Sequence, residues 1–357
     1  MNRRELILVI AGASALLLIA LLCVILFTCS GGEETAEEAQ PAQTQEFAEP
    51  EEEITEEETI ETETGPLVSY QTQRPLSSLS NLNRLRGMGV LVSEINPVNY
   101  ENPDLDILKQ MGADPYLISY LTGEQFYRDG NIDKAIVEYT ISINRYNEFP
   151  ESYISRANAW MKKRDFARAI DDYSRAIRLN SGKAELYNYR GFARSERGET
   201  ALAIEDYSRA IAINKNYVDA LVNRSHAYYQ ARNYQRVIED CSSVITLEPH
   251  NAVIWNRRGS AWYAVEDDDK AIRDFSEAIR LKSDYALAWH NRGNAWYSKR
   301  EFDRAISDLN RCISLNPSYA AAYTSRGNIY QLLGNKENAA SDFDTAAALD
   351  AKRLQKR

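Results

Sequence analysis

The feature that most constrains this chain is a unit of 34 residues that recurs seven times without an insertion. The units begin at Tyr116, Pro150, Ala184, Val218, Ala252, Ala286 and Ala320. The eighth place of the unit is always small, with Gly123, Ala157, Gly191, Ser225, Gly259, Gly293 and Gly327. The twenty-fourth place carries Tyr139, Tyr173, Tyr207, Cys241, Phe275, Leu309 and Phe343. Because a small residue on one helix admits a large one from its neighbour, the pattern predicts two closely packed antiparallel helices in every unit.

Such a hairpin is apolar on two sides, so it is not stable alone and has to stack on its neighbours. Places twenty-one and twenty-eight bear on this because both are Ile in the first six units. In the seventh unit these places hold Ala340 and Ala347. The final helix has no later unit to cover it, and a loss of apolar bulk is the expected behaviour of a terminal cap.

The period, the small residue at place eight and aromatic residues at place eleven, such as Trp160, Trp262 and Trp296, resemble the tetratricopeptide repeat family. The resemblance runs from Tyr116 to about Lys352. It implies an all-α fold, a right-handed α-solenoid of seven antiparallel helix hairpins whose first helices line a concave groove. We call the units repeats 1 to 7 and number the places within each repeat from 1 to 34.

Place seven departs from the family, in which it is usually Leu. It is Arg in six repeats, at Arg156, Arg190, Arg224, Arg258, Arg292 and Arg326. Place twenty-three is acidic in all seven, at Glu138, Asp172, Asp206, Asp240, Asp274, Asp308 and Asp342. The two places lie near each other across an antiparallel hairpin, so we predict a ladder of two-pronged Arg–carboxylate pairs inside the wall. The alternative is a row of Arg side chains that binds anionic ligands.

The inner face of the first helices comprises places two, five, six, nine, twelve and thirteen, and these places are rich in Asn and Tyr. The candidate binding residues are Asn158, Asn188, Asn223, Tyr229, Asn256, Tyr263, His290, Asn291, Asn294 and Tyr297. An Asn amide both donates and accepts hydrogen bonds, so it can pair with a peptide backbone of any sequence. Tyr adds amphipathic contact area at low entropic cost. We therefore predict a peptide-binding groove, with ordinary surface composition as the alternative explanation.

Some chaperone-binding members of the family hold a C-terminal carboxylate with a clamp that needs Lys at place five of its first repeat. Place five here holds Tyr120, Ile154, Asn188, Val222, Asn256, His290 and Thr324. The clamp is therefore absent, which argues against a cytosolic chaperone receptor.

Residues 6–29 are uncharged for 24 positions, which as a helix spans about 36 Å and suffices for a bilayer core of about 30 Å. Arg3 and Arg4 precede this segment, and no Lys or Arg follows it until Arg74. The charge asymmetry predicts a retained signal anchor that contacts the lipid bilayer, with a cytoplasmic N-terminus and the repeats outside the cytoplasm. The alternatives are a cleaved signal peptide and a lipoprotein processed at Cys29.

We divide the chain into an N-terminus and anchor (1–30), an acidic disordered linker (31–75), a covering segment before the repeats (76–115), the seven repeats (116–353) and a tail (354–357). The linker carries 14 Glu between Glu33 and Glu63 and few large apolar residues, so it cannot offset its ordering entropy. We expect a solvated spacer; the alternative is an acidic tail that folds back on the repeats or recruits a basic partner.

The chain shows no nucleotide-binding loop, no metalloprotease motif and no catalytic constellation, so we expect neither an enzyme nor a cofactor. The net charge of -10 lies mainly in the linker, and the remainder is close to neutral, which does not indicate nucleic-acid binding. The sequence predicts a scaffold that binds other proteins or peptides, in a bacterial cell envelope. One alternative is a transporter accessory that binds a small ligand or a carrier subunit, and another is a regulator whose repeats face the cytoplasm.

Overall fold

A computed structural model describes residues 105–110 and 112–355, and every regular element within them is an α-helix. The predicted membrane anchor, the acidic linker and most of the covering segment lie outside the described residues. The helices are α1 (Leu105–Gln110), α2 (Pro115–Arg128), α3 (Ile132–Arg145), α4 (Pro150–Lys162), α5 (Phe166–Leu179), α6 (Ala184–Glu196), α7 (Thr200–Ile213), α8 (Val218–Gln230), α9 (Tyr234–Leu247), α10 (Ala252–Ala264), α11 (Asp268–Leu281), α12 (Ala286–Ser298), α13 (Phe302–Leu315), α14 (Ala320–Leu332) and α15 (Lys336–Gln355).

The helices from α2 onward form seven consecutive hairpins, one for each repeat, and each hairpin stacks on the next through its second helix. The short helix α1 precedes them and contacts α2, where Leu108 is buried in one cluster with Leu117 and Tyr120. Gly112 follows α1 with φ of 74°. The sequence predicts a short helix from Asp104 to Met111 closed by Gly112, and the structure has a helix there from Leu105 to Gln110.

The close approach within each hairpin depends on the small residue at place eight. A Cβ atom added to Gly191 would lie 2.8 Å from Cε1 of Tyr207, and one added to Gly259 would lie 2.7 Å from the Phe275 ring. In repeat 4, place eight holds Ser225, which is larger than glycine, and it faces Cys241 at place twenty-four, which is smaller than an aromatic residue. The predicted exchange of volume between these two places is confirmed.

The turn inside every hairpin contains a residue in the left-handed region at place fifteen. Gly130, Gly198 and Gly334 have φ between 76° and 78°. In the other repeats the left-handed residues are Arg164, Arg232, Glu266 and Arg300, with φ between 54° and 62°. The sequence predicts that glycine, or an Asn or Asp beside it, supplies these turns, whereas an Arg or Glu takes the left-handed conformation in these four repeats. In three of the four, the next residue is Asp165, Asn233 or Asp267, and its side chain caps the following helix; for example, the Asp165 side chain accepts from the Arg168 backbone N–H.

The last repeat differs from the others in two ways. Ala340 and Ala347, at places twenty-one and twenty-eight, are exposed, as expected for the loss of apolar bulk in the last repeat. Helix α15 runs for 20 residues to Gln355, whereas the second helices before it have 14 residues. It therefore enters the segment 354–357 that the sequence assigned to a tail. Good helix formers such as Ala351 and Lys352 continue it.

Candidate binding groove

The first helices of successive repeats lie side by side along one face of the stack. Direct first-helix contacts join α2 to α4, α6 to α8, α10 to α12 and α12 to α14. Second helices contact the next repeat mainly through its first helix. The first helices are therefore closer together than the second helices, as on the inner side of a curved stack.

Six Arg–Asp pairs fix each first helix to the second helix of its own repeat. In every pair Nε and Nη2 of the place-seven Arg donate to the two carboxylate oxygens of the place-twenty-three Asp. The pairs are Arg156–Asp172, Arg190–Asp206, Arg224–Asp240, Arg258–Asp274, Arg292–Asp308 and Arg326–Asp342, with donor–acceptor distances between 2.6 and 2.9 Å. The predicted ladder is confirmed, and its Arg side chains are occupied within the wall.

The remaining nitrogen of each ladder Arg reaches the preceding repeat, which the sequence analysis missed. Nη1 of Arg258 donates to the Ser242 hydroxyl at 3.0 Å, and Nη1 of Arg224 donates to the Ser208 hydroxyl at 2.9 Å. The acceptors at place twenty-five are Thr140, Ser174, Ser208, Ser242, Ser276 and Asn310. The polar residue that recurs at place twenty-five was the sequence signal for these hydrogen bonds. One guanidinium thus joins three helices and two repeats.

The predicted Asn residues at places five and six pair with one another across repeats. Nδ2 of Asn223 donates to Oδ1 of Asn188 at 3.0 Å, and Nδ2 of Asn291 donates to Oδ1 of Asn256 at 3.1 Å. Asn188, Asn223 and Asn256 are buried, and Asn291 is half-buried. These amides therefore form the floor of the inner face, where they connect neighbouring first helices.

The predicted His290 also lies in this floor. Its Nε2 is 3.2 Å from the Ser325 hydroxyl and 3.3 Å from Nδ2 of Asn294, and its ring lies edge-on to Tyr319 with centroids 5.2 Å apart. Burial lowers the pKa of His290 to about 4, so the ring is neutral at physiological pH. Asn158, one of the other candidates, accepts a hydrogen bond of 2.6 Å from the Tyr173 hydroxyl.

The three predicted tyrosines at place twelve line the more exposed part of the inner face. Tyr263 and Tyr297 are each 37% exposed, and Tyr229 is half-buried. The Tyr263 hydroxyl is 3.2 Å from the Ser298 hydroxyl, and the Tyr229 and Tyr297 rings contact Tyr234 and Phe302. The structure thus separates the candidates into a hydrogen-bonded floor of Asn and His and an accessible row of Tyr.

Arg257 is the one charged residue among the seven at place six, and it was not among the predicted site residues. Its Nη1 donates to the Val222 carbonyl at 3.1 Å and to the Ser225 hydroxyl at 3.0 Å, and the residue is 4% exposed. His226 lies nearby; burial, aided by the charge of Arg257, lowers the pKa of His226 to about 3. Comparing place six across the repeats would have identified this residue.

The inner face has no metal site in the described part of the chain. Residues 105–110 and 112–355 contain no cluster of His, Cys, Asp and Glu with metal-binding geometry. Two open cavities of about 450 and 370 Å³ lie at Leu247–Asn251 and around Phe126 and Val137. None of the ten candidate residues lines either cavity. Within the same residues, no helix has the length and apolar character needed to cross a bilayer.

Stacked helical hairpins with a hydrogen-bonded wall and an open inner face define an α-solenoid, a class of protein that presents extended binding surfaces. Models described as "Tetratricopeptide repeat" match residues 286–319 and 320–353, and one described as "TPR repeat" matches residues 194–231. The chain belongs to the tetratricopeptide repeat proteins, which are generally non-enzymatic scaffolds that bind other proteins or peptides. The first two matches begin at the first residues of repeats 6 and 7.

Three solved structures are similar to this chain to different degrees. The C-terminal part of a TPR repeat-containing protein from Cytophaga hutchinsonii is 17% identical with a TM-score of 0.56, covering 65% of this chain and 95% of that one. MamA is 26% identical with a TM-score of 0.44, covering 46% and 96% of the two chains. YrrB, described as a TPR protein with an unusual peptide-binding site, is 18% identical with a TM-score of 0.48, covering 52% and 95%. The Cytophaga structure supports the solenoid fold. No curated protein sequence matches this chain.

Proposed function

We propose that this chain is a membrane-tethered scaffold whose inner face binds an extended or helical segment of a partner protein. The row of Tyr229, Tyr263 and Tyr297 carries the proposal, because these side chains occupy the same place on three successive first helices. Two of them expose more than a third of their surface. Regularly spaced rings with a polar tip suit a chain that crosses several repeats and offers both apolar side chains and backbone groups.

The floor beneath the tyrosines supports this function by holding the first helices in register. The Asn188–Asn223 and Asn256–Asn291 pairs join neighbouring repeats, and the ladder ties each first helix to its own hairpin. A surface that is already ordered loses little conformational entropy when it binds, so more of the contact energy appears as affinity. A small-ligand accessory would favour an enclosed cavity, whereas the two cavities are open and lie elsewhere.

The uncharged segment at residues 6–29 and the two Arg residues before it support tethering with the repeats outside the cytoplasm. The acidic stretch between Glu33 and Glu63 then serves as a spacer between bilayer and repeats. An alkaline phosphatase fusion after Arg357 tests this topology in a bacterial host. We expect an active fusion, and an inactive fusion at full expression would overturn the proposed location.

Site-specific crosslinking tests the groove itself. A photoreactive amino acid replaces Tyr263 in one full-length variant and Tyr297 in a second, and a third carries it at the exposed Ser307 of α13, on a second helix. We expect Tyr263 and Tyr297 to label neighbouring residues of one partner segment, in the order of the repeats. Equal labelling of that segment from Ser307, or labels without order, would contradict binding along the inner face.

A further inference from the structure

Two acidic residues, Glu185 and Asp219, lie one helical turn before the Asn188–Asn223 pair, and we call them the acid pair. The two amides join α6 to α8, with Nδ2 of Asn223 3.0 Å from Oδ1 of Asn188. Glu185 precedes Asn188 by three residues and Asp219 precedes Asn223 by four, and residues at these spacings are neighbours on a helix surface. The amides therefore hold the two carboxylates on adjacent first helices, on the same part of the inner face.

The acid pair is not needed for the stacking of the repeats. The Asn256–Asn291 pair joins α10 to α12 in the same way, at 3.1 Å. The residues one turn before it, at the same place two, are Val253 and Leu287. The fold thus accepts apolar side chains at these positions. An acid in the first turn of a helix interacts favourably with the helix dipole, but an exposed acid does so without losing solvation.

The acid pair has no counter-charge among residues 105–110 and 112–355. Glu185 and Asp219 are half-buried, and within this part of the chain neither forms an ion pair or accepts a hydrogen bond. Even Lys183, two residues before Glu185, does not lie within ion-pair distance of them. Burial raises the pKa of Asp219, and the nearby carboxylate of Glu248 raises it further. The two carboxylates have therefore lost solvation that no cation of the described chain replaces.

Two tyrosines complete the surroundings of the acid pair. The Tyr189 hydroxyl, one turn after Glu185 on α6, is buried and has no hydrogen-bond partner in the described part of the chain; the residue is 6% exposed. The half-buried Tyr217 accepts a hydrogen bond of 3.4 Å from Nδ2 of Asn188. Burial raises the pKa of both tyrosines, and the carboxylates of the acid pair raise it further. Unsatisfied polar groups that share such a field are typical of binding sites.

We propose that the acid pair binds a cationic group of the partner segment, a Lys or Arg side chain or an amino terminus, between repeats 3 and 4. The N–H donors of such a group match the carboxylate oxygens and the Tyr217 oxygen, whereas Tyr189 is enclosed and lies behind the contact. Two carboxylates are too few for Ca²⁺, which takes six to eight oxygen ligands. The inference rests on the proposed peptide-binding function, and the bound segment continues along Tyr229 in repeat 4.

The test uses the full-length protein and short, largely apolar, amidated peptides in four forms. Three forms carry one cation each: an acetylated peptide with Lys, an acetylated peptide with Arg, and a peptide with a free amino terminus and neither residue. The fourth is acetylated and has acetyl-lysine in place of Lys, so it is neutral. An array identifies binding sequences, and their affinities are then measured in solution.

Three double variants are compared with wild type. Glu185→Gln with Asp219→Asn removes both charges and keeps the side-chain shapes. Glu185→Val with Asp219→Leu introduces the side chains that repeats 5 and 6 have at place two. The control is Glu205→Gln with Glu239→Gln, which makes the same change in net charge at exposed positions of the second helices of repeats 3 and 4.

We expect a cationic form to bind wild type roughly 10- to 100-fold more tightly than the neutral form. Both variants of the acid pair should lose this preference, and the control should keep it. The urea midpoints of the acid-pair variants should stay the same or rise, because each change removes uncompensated charge. The Lys, Arg and free-terminus forms identify the source of the cation.

The outcomes separate this inference from the function on which it rests. If cationic and neutral peptides bind wild type equally, or if the acid-pair variants keep the preference, the cation site is refuted while peptide binding stands. A clear fall in the urea midpoint, or an equal loss of cationic and neutral binding, would assign the acid pair a structural role and also refute the site. If no peptide of any form binds, the proposed groove function is refuted as well.

Discussion

Replacing Asp274 by Asn should destabilise the solenoid strongly, although the change removes no carbon atom from the core. Asp274 accepts from Nε and Nη2 of Arg258 at 2.7 and 2.9 Å. The amide of Asn can accept one of these bonds but presents N–H groups to the other donor. The substitution therefore leaves the Arg258 charge without its counter-ion next to the Trp255 ring, 4.8 Å away.

The size of the effect follows from burial. Removing one partner of a fully buried ion pair costs about 3–5 kcal/mol. The Arg258 side chain is 18% exposed and that of Asp274 is 7% exposed, so water screens part of the remaining charge. Nη1 also keeps its bond to Ser242. We therefore expect a loss of about 2–3 kcal/mol in the free energy of unfolding.

Urea unfolding followed by circular dichroism measures this loss, with Asp269→Asn as the matched control. Asp269 lies in the same helix and pairs with Lys299, but its side chain is 69% exposed. Its substitution makes the same change in charge and should cost less than about 1 kcal/mol. Equal destabilisation by both variants would refute the claim that the ladder, rather than general electrostatics, holds the hairpins together. Repeat proteins can unfold in stages, so the comparison uses the transition that includes repeat 5.

Two further predictions concern a buried histidine and the turns. The pKa values of His290 and His226 lie below that of an unfolded histidine, so the unfolded state binds the extra protons first. Stability should therefore fall from pH 7 to 5 by roughly 2 kcal/mol for each of the two residues, and His290→Asn, but not the exposed His250→Asn, should remove about half of this dependence. An unchanged pH profile in His290→Asn would contradict the shift. Because φ at Glu266 is 62°, Glu266→Gly should stabilise the fold by about 1 kcal/mol and raise the melting temperature. The control Val265→Gly, at φ of -101°, should lower the melting temperature. An equal rise in the control would contradict the assignment to backbone strain.

The sequence predicted those contacts in which a residue type recurs at one place of the repeat and its partner recurs at a second place. The Arg258–Asp274 pair is an example, because Arg recurs at place seven and Asp at place twenty-three, and the geometry common to all hairpins brings the two places together. The sequence alone did not show which inner-face residues are buried. Asn256 and Tyr263 lie seven places, or about two turns, apart on the same face of α10, so periodicity alone does not show that Asn256 is buried while Tyr263 stays 37% exposed.

Features that occur once were also missed, because periodicity averages them away. Arg257 stands alone at place six, and its hydrogen bonds to repeat 4 became visible only when its neighbours were located. The left-handed conformation of Glu266 recurs at place fifteen and was missed for a different reason, because its residue type disfavours that conformation. The position in the repeat imposes this conformation, and the glycines of repeats 1, 3 and 7 were the signal.

Gly259 offers a sharper test of why place eight must be small. An added Cβ would lie 2.7 Å from Phe275 ring atoms, which is too close for carbon atoms, so Gly259→Ala forces α10 and α11 apart or rotates the ring. We expect a cost of about 1–3 kcal/mol in unfolding free energy, the usual range for overpacking. Repeat 4 shows a compatible combination, with Ser225 opposite Cys241. Gly259→Ser with Phe275→Cys should therefore be more stable than the sum of the two single changes, which a double-mutant cycle in urea measures. Strict additivity would mean that the residues at places eight and twenty-four do not compete for one volume, and that their sizes do not determine how closely the two helices of a repeat pack.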